Sequence, residues 1–124
     1  MIRRSNPIVA VMVHVDDVAA ALRWYERAFP QAKRHRIESL AFDYLSVDGV
    51  NLEFVPADEK VTSGPCGTVV YWGVPNVGSA LTHLQSLGAK LYRGPMQIGD
   101  DQCMCQLQDP WGNCIGLRGA CAAS

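Results

Sequence analysis

The stretch VMVHVDDVAAAL, residues 11–22, decides the fold of this chain because its pattern returns at residues 70–81 as VYWGVPNVGSAL. In both stretches apolar residues first alternate at period two. A short polar segment follows, and apolar residues then recur at helical spacing. The sequence therefore predicts two copies of a strand that runs directly into a helix, and a repeat of this kind fixes the architecture.

The ends of the two predicted helices carry recognisable signals. Asp16 or Asp17 in the first copy and Asn76 in the second are side chains that accept amide hydrogens at a helix start. Pro30 ends the first helix and Gly88 ends the second. The apolar stripes are Val18, Leu22, Tyr25 and Phe29 in the first helix and Val77, Leu81, Leu84 and Leu87 in the second.

In each half one strand is predicted before the helix and three after it, so that the order of elements is β-α-β-β-β. The turns before the last strands are Asp48-Gly49 and Asp109-Pro110-Trp111-Gly112. The predicted strands are residues 8–15, 34–38, 41–47 and 50–55, then 70–74, 90–92, 102–108 and 113–118. Because neither half has enough core to be stable alone, we expect one α+β domain over residues 1–124. Its parts would be unit one at about 7–55, a linker at 56–66 and unit two at about 67–119.

Composition narrows the class of protein. Hydrophobic residues make up 48% of the 124 residues and charged residues 19%, which indicates a packed core rather than disorder. The net charge of −1 does not favour a nucleic-acid-binding surface, and the basic cluster at residues 33–36 is interpreted as a solvated strand or loop face. No apolar run approaches the roughly 20 residues of a membrane span, and no secretory h-region follows the N-terminus. These features predict a cytoplasmic protein without a membrane or nucleic-acid partner.

The five cysteines form an odd set without a C-x-x-C pair. Cys103 and Cys105 share a strand face, which is a poor geometry for bridging each other. We therefore expect reduced cysteines, in keeping with a cytoplasmic location.

The segment Val15-Asp16-Asp17-Val18 leading to Trp24-Tyr25, together with Asp109-Pro110-Trp111-Gly112-Asn113 before the last strand, resembles the glyoxalase/bleomycin-resistance/extradiol-dioxygenase superfamily, also called vicinal oxygen chelate proteins. The resemblance extends from about Ile8 to Leu117. It implies a vicinal oxygen chelate fold, in which the two βαβββ units form a cupped mixed sheet with the helices outside. It also implies a homodimer.

In metal-using members of that family, four cup-facing positions carry His, Gln or Glu ligands for a divalent metal. Matched position by position, they are Ala10, Glu53, Val69 and Gly116 here, and three of these side chains offer no donor atom. His14 lies four residues past Ala10, about 13 Å along a strand, which is too far to replace it. The sequence therefore predicts no metal site and no other cofactor.

The remaining cup-facing positions are interpreted as a small-molecule site. Strand alternation places Val11, Val13 and Val15 towards the helix, together with Val9, and the intervening residues in the cup. Met and aromatic side chains with a few polar tips suit a flat, partly apolar ligand, although some of them would simply fill the core. The candidate ligand-binding residues are Met12, His14, Phe42, Tyr44, Asn51, Glu53, Tyr71, Met104, Gln106 and Cys114.

Glu53 and Cys114 are the two cup-facing residues considered for a chemical role. Glu53 is either a solvated or Tyr-bonded carboxylate at the cup rim, or a buried catalytic or ligand-binding carboxylate with a raised pKa. Cys114 has no basic partner in the pattern to activate it as a nucleophile.

Three hypotheses of function follow. The first is a metal-free protein that binds or sequesters a small aromatic or amphipathic compound. The second is an enzyme: a lyase, isomerase or dioxygenase with rewired metal ligands, or a metal-free acid/base catalyst that uses Glu53. The third is an interaction module whose cup is filled by side chains.

Overall fold

A computed structural model of the chain describes residues 8–121. The chain divides into two compact units, Met1–Thr62 and Ser63–Ser124. The first contains β1 (Ala10–Val15), α1 (Val18–Ala28), β2 (Lys33–Ile37), a short 3₁₀ helix (Glu38–Leu40), β3 (Phe42–Val47) and β4 (Val50–Pro56). The second contains β5 (Val70–Asn76), α2 (Val77–Ser86), β6 (Lys90–Gly99), β7 (Gln102–Gln108) and β8 (Cys114–Ala120). The predicted α+β class and the two βαβββ units are confirmed, and the single domain stays a prediction.

The sheet of the first unit has the strand order β1-β4-β3-β2. β1 pairs with β4 in parallel, because α1 returns the chain to the same end of the sheet, and the other pairs are antiparallel. α1 packs against β3 and β4. Leu45 and Phe54 are fully buried there, and Tyr25 of the helix lies 4.7 Å from Phe54 between ring centroids. This core holds the helix on one face and leaves the opposite face to other side chains.

The second unit repeats this topology with the order β5-β8-β7-β6. α2 packs against all four strands. Leu107, Ile115 and Leu117 are at most 2% exposed on the helix side of the sheet, with Val77 and Leu84 of α2. Cys105 is also fully buried on this side.

The predicted caps form in both units. The Asp17 carboxylate accepts a hydrogen bond from the Ala20 amide at 3.0 Å, and the Asn76 side chain accepts one from the Ser79 amide at 2.8 Å. Asp17 rather than Asp16 is therefore the N-cap of α1, which satisfies an amide that the helix itself cannot pair.

The basic cluster at residues 33–36 lies in the edge strand β2, where its residues are exposed to solvent as predicted. Arg34 pairs with Glu26 at 2.7 Å and with Asp43 at 3.1 Å, while Arg36 pairs with Asp43 at 2.8 Å. The two arginines beside Asp43, above all the hydrogen bond from Arg36, lower the pKa of its carboxyl group. Much of the charge of this strand is thus balanced within the unit.

Three expectations about strand length and exposure are corrected. β6 runs to Gly99 rather than stopping at Tyr92, since an edge strand tolerates Pro95 where no ladder hydrogen bond is needed. Val9, expected to face the helix, lies before β1 and is 67% exposed. The strand predicted to end at Glu38 ends at Ile37, because residues 38–40 form the 3₁₀ helix, and β3 begins at Phe42 rather than at the left-handed residue Ala41.

The expectation that all cysteines are reduced is wrong in this structure. Cys103 and Cys121 form a disulfide, with their Cα atoms 4.7 Å apart. The physical reason is register: β8 continues to Ala120, so that Cys121 lies beside the start of β7, where its amide donates to the Asp101 carbonyl. Cys103 and Cys105 are not bridged to each other, as predicted.

In the described part of the chain, no helix has both the length and the apolar character needed to cross a bilayer.

Candidate functional site

The turn between β7 and β8 determines where the last strand begins. The buried Asp109 carboxylate accepts hydrogen bonds from the amides of Trp111 and Asn113, both at 2.9 Å. Gly112 has a φ of +88°, a conformation that glycine adopts without steric cost. The Asn113 side chain in turn accepts a hydrogen bond from the Gly64 amide at 2.8 Å. The turn therefore fixes the register in which β8 enters the sheet.

That register gathers one set of side chains on the side of the second sheet opposite α2. Tyr71 pairs with Gly116, Gly116 with Gln106, and Arg118 with Met104. Since side chains alternate across a strand, these residues share one face with Cys114. We call this side the Tyr71 face, defined by Tyr71, Met104, Gln106, Cys114, Gly116 and Arg118.

A hydrogen-bonded chain runs across the Tyr71 face. The amide nitrogen of Gln106 donates to the Tyr71 hydroxyl at 2.8 Å, and the Cys114 thiol lies 3.7 Å from the Gln106 carbonyl oxygen. Burial, and then the charge of Asp109, raise the pKa of Cys114, while Arg93 opposes them. A thiol with a raised pKa stays protonated near neutral pH, so Cys114 serves as a hydrogen-bond donor rather than an activated nucleophile.

Arg118 also belongs to this face, and it is not among the ligand-binding residues predicted from the sequence. Its guanidinium carbon lies 4.3 Å above the centroid of the Tyr71 ring. Period two from Cys114 and Gly116 points to Arg118, which was the last residue of the predicted closing strand. Met104, in contrast, is only 8% exposed and contributes mainly to packing.

The Tyr71 ring occupies the space above Gly116. A Cβ atom added at Gly116 would lie 2.6 Å from Cε1 and 2.8 Å from Cγ of Tyr71, well inside van der Waals contact. Any side chain at this position would therefore displace the ring. Glycine at 116 and tyrosine at 71 are consequently a matched pair.

The remaining candidates lie on the first sheet, on the side opposite α1. Met12 pairs with Glu53, and Ala10 pairs with Asn51. The candidates on this side are Met12, His14, Phe42, Tyr44, Asn51 and Glu53. His35 was missed as a neighbour: its ring stacks on Tyr44 with centroids 5.3 Å apart, and its Nε2 lies 2.8 Å from the Ser46 hydroxyl.

The residues at the four family ligand positions do not fit a metal ion. Ala10 and Gly116 have no donor atom in a side chain, and Val69, which lies one residue before β5, has none either. Glu53 has Met12 beside it in the sheet rather than a second ligand. Within residues 8–121, no group of three or more His, Cys, Asp and Glu side chains is placed to hold a metal. The donor chemistry that a divalent ion needs is therefore missing at these positions.

Comparison with known proteins identifies one family for this chain. The family model described as Glyoxalase/Bleomycin resistance protein/Dioxygenase superfamily matches residues 8–117. No curated protein matches the chain.

Similar solved structures include a family enzyme from Burkholderia phytofirmans, 20% identical, with a TM-score of 0.71, covering 90% of this chain and 96% of that one. A glyoxalase-related enzyme from Fulvimarina pelagi is 17% identical with a TM-score of 0.73, covering 93% and 88%. A superfamily member from Sphaerobacter thermophilus is 15% identical with a TM-score of 0.73, covering 93% and 98%. At these identities the likeness shows the fold alone.

Proposed function

The chain belongs to the glyoxalase/bleomycin resistance protein/dioxygenase superfamily, and from this premise we propose that it binds a small aromatic or amphipathic compound without a metal ion. The family name covers both enzymes and resistance proteins, so membership alone does not separate binding from catalysis. The distinction between binding and catalysis therefore has to be argued from the residues of the site.

The observation that carries the proposal is the Tyr71 ring above Gly116. A ligand position of metal-using relatives is filled here by an aromatic side chain, with no room for a carboxylate or imidazole at 116. Three of the four matched positions lack a donor atom. These features favour a site that recognises a ligand through contact area and hydrogen bonds rather than through coordination.

The polar groups on the Tyr71 face support a ligand with both apolar and polar parts. Tyr71 and Gln106 are half-buried and bonded to each other, which orients the amide and the hydroxyl before a ligand arrives. A few oriented polar groups among apolar ones are typical of small-molecule sites. The candidates on the first sheet, with Glu53 among them, stay proposed ligand contacts. The homodimer that the resemblance implied stays a prediction, which light scattering would test.

A ligand panel tests the proposal. Full-length protein treated with EDTA is screened by thermal shift against aromatic and amphipathic compounds, and the hits are titrated by calorimetry. We expect at least one hit with a Kd below about 1 mM, because a buried ring and one or two hydrogen bonds suffice for that affinity.

A matched pair of variants assigns the binding to the face. Gln106→Leu should weaken binding about tenfold, because it removes one hydrogen-bonding group. Gln85→Leu, on the exposed side of α2, should leave it unchanged. If no compound binds below millimolar concentration, the proposal fails. If both variants bind like wild type, the site lies elsewhere.

A further inference from the structure

The four strands of the second sheet carry positive charge without negative charge. β5 to β8 contain Lys90, Arg93 and Arg118 but no Asp or Glu. The acidic residues of the second unit lie outside the strands: Asp100 and Asp101 in one turn, and Asp109, which bonds backbone amides, in another. The basic side chains of these strands therefore have no acidic side chain on the same strands to neutralise them.

Arg118 differs in this respect from the arginines of the first sheet. Arg34 and Arg36 are each held by carboxylates at 2.7 to 3.3 Å. Arg118 makes no ion pair within residues 8–121, and its guanidinium lies over the Tyr71 ring. A guanidinium has five N–H donors in its plane, so contact of its face with a ring leaves the donors at its edge available. Such a group matches a carboxylate in geometry as well as in charge.

A second cation and an apolar side chain extend the same face towards the edge of the sheet. Arg93 of β6 pairs with Gln106, and Met96 pairs with Met104. Arg118, Met104 and Met96 therefore form one row across three strands. With strands about 4.8 Å apart, the backbone positions of Arg118 and Met96 in this row are about 10 Å apart. Met96 is 43% exposed, while the intervening Met104 is buried.

We infer that the ligand of the Tyr71 face is an aromatic carboxylate. Its carboxylate binds Arg118, with Arg93 adding to the positive potential, and its ring lies along the row towards Met96. The row is about the length of a fused two-ring acid. This inference names the ligand class for the proposed function and rests on that function.

Calorimetry with four probes at equal ionic strength tests the inference on the full chain. The probes are 1-naphthoate, its neutral amide 1-naphthamide, the cation 1-naphthylmethylammonium, and acetate as an anion without a ring. We expect naphthoate to bind at least about tenfold tighter than naphthamide, and the cation and acetate to bind more weakly still, because charge-assisted hydrogen bonds add to the ring contact.

Two variants assign the effect to Arg118. Arg118→Gln should remove the preference for naphthoate over naphthamide, and Arg118→Lys should retain only part of it, because lysine lacks the two-pronged geometry. Arg23→Gln, an exposed position on α1 with the same change of net charge, should keep the preference in full.

The outcomes separate the two proposals. Equal or tighter binding of naphthamide or of the cation overturns the carboxylate inference and leaves small-molecule binding in place. Acetate binding as tightly as naphthoate overturns it too, since the ring would then contribute nothing. If none of the naphthyl probes binds while another class of compound in the ligand panel does, the inference alone fails. If nothing in either set binds, both fail.

Discussion

Gly116 is the residue that most directly shapes the candidate site, because its missing side chain leaves room for the Tyr71 ring. The ring in turn supports Arg118 from below and receives a hydrogen bond from Gln106. One absent Cβ atom therefore allows three other side chains to take their positions. Position 116 is also matched to a metal-ligand position of the family, and glycine has no side-chain donor atom there.

Gly116→Ala tests this residue-scale account. Since the new Cβ would lie 2.6 Å from a ring carbon, we expect the free energy of unfolding to fall by about 1–3 kcal/mol. Tyr71→Ala removes the ring, so the same substitution in that background should cost clearly less. Urea denaturation of the four proteins gives the coupling energy.

Gly73→Ala provides the matched control, because a Cβ there meets no atom within 4 Å. Its effect should stay within about 0.5 kcal/mol. An equal cost of Gly116→Ala with and without the Tyr71 ring would show that the two residues are not matched as described.

At the scale of elements, β8 organises the second unit. It is paired with β5 on one side and β7 on the other, and the Asp109–Asn113 turn fixes where it starts. The Cys103–Cys121 disulfide fastens its far end to β7. Both ends of the strand that carries Gly116 and Arg118 are thus constrained.

The disulfide predicts a specific thiol count and a stability effect. In denaturant without reductant, iodoacetamide should modify only Cys66, Cys105 and Cys114, and after reduction all five cysteines. Because the cystine closes a loop with a sequence separation of 18, its loss in Cys121→Ser should cost about 3 kcal/mol.

Cys66→Ser is the control for that measurement, since this thiol is free and exposed, and it should leave stability unchanged. Five adducts before reduction, measured by intact mass, would contradict the pairing.

How much of these elements the sequence predicts depends on whether the signal is local. Alternation and capping are local, so the strand faces, an N-cap at Asp16 or Asp17 and the N-cap at Asn76 follow from neighbouring residues. The full length of β6 does not, because Gly94-Pro95 reads as a stop and only pairing with β7 shows that the strand continues. Cys121 lies past the predicted end of the last strand, so its neighbour Cys103 becomes visible only with the register of β8.

The candidate site was likewise predictable from the sequence only where the signal is local. Alternation placed Tyr71, Gln106 and Gly116 on one side of the sheet from sequence alone. The contacts among them, and the position of Arg118 over the ring, depend on cross-strand neighbours from β5, β7 and β8. The contacts of Tyr71 with Gln106, Gly116 and Arg118 join residues 35 or more positions apart, which a pattern read along one strand does not report.

At the scale of the whole molecule, family and function separate. The family model covers residues 8–117, and structures with identities of 20% or less share the fold. The fold is therefore compatible with many side-chain sets. What this chain does depends on the set it carries, and the four positions matched to the metal ligands of the family hold Ala10, Glu53, Val69 and Gly116 here.

The metal content of the full chain, purified without an affinity tag and measured by mass spectrometry, is the most direct test of the central claim. We predict far less than one divalent ion per chain, with the Kd for the best panel compound unchanged by EDTA. One Ni, Zn, Mn or Fe ion bound per chain, or binding that is lost with EDTA and restored by metal, would contradict the account.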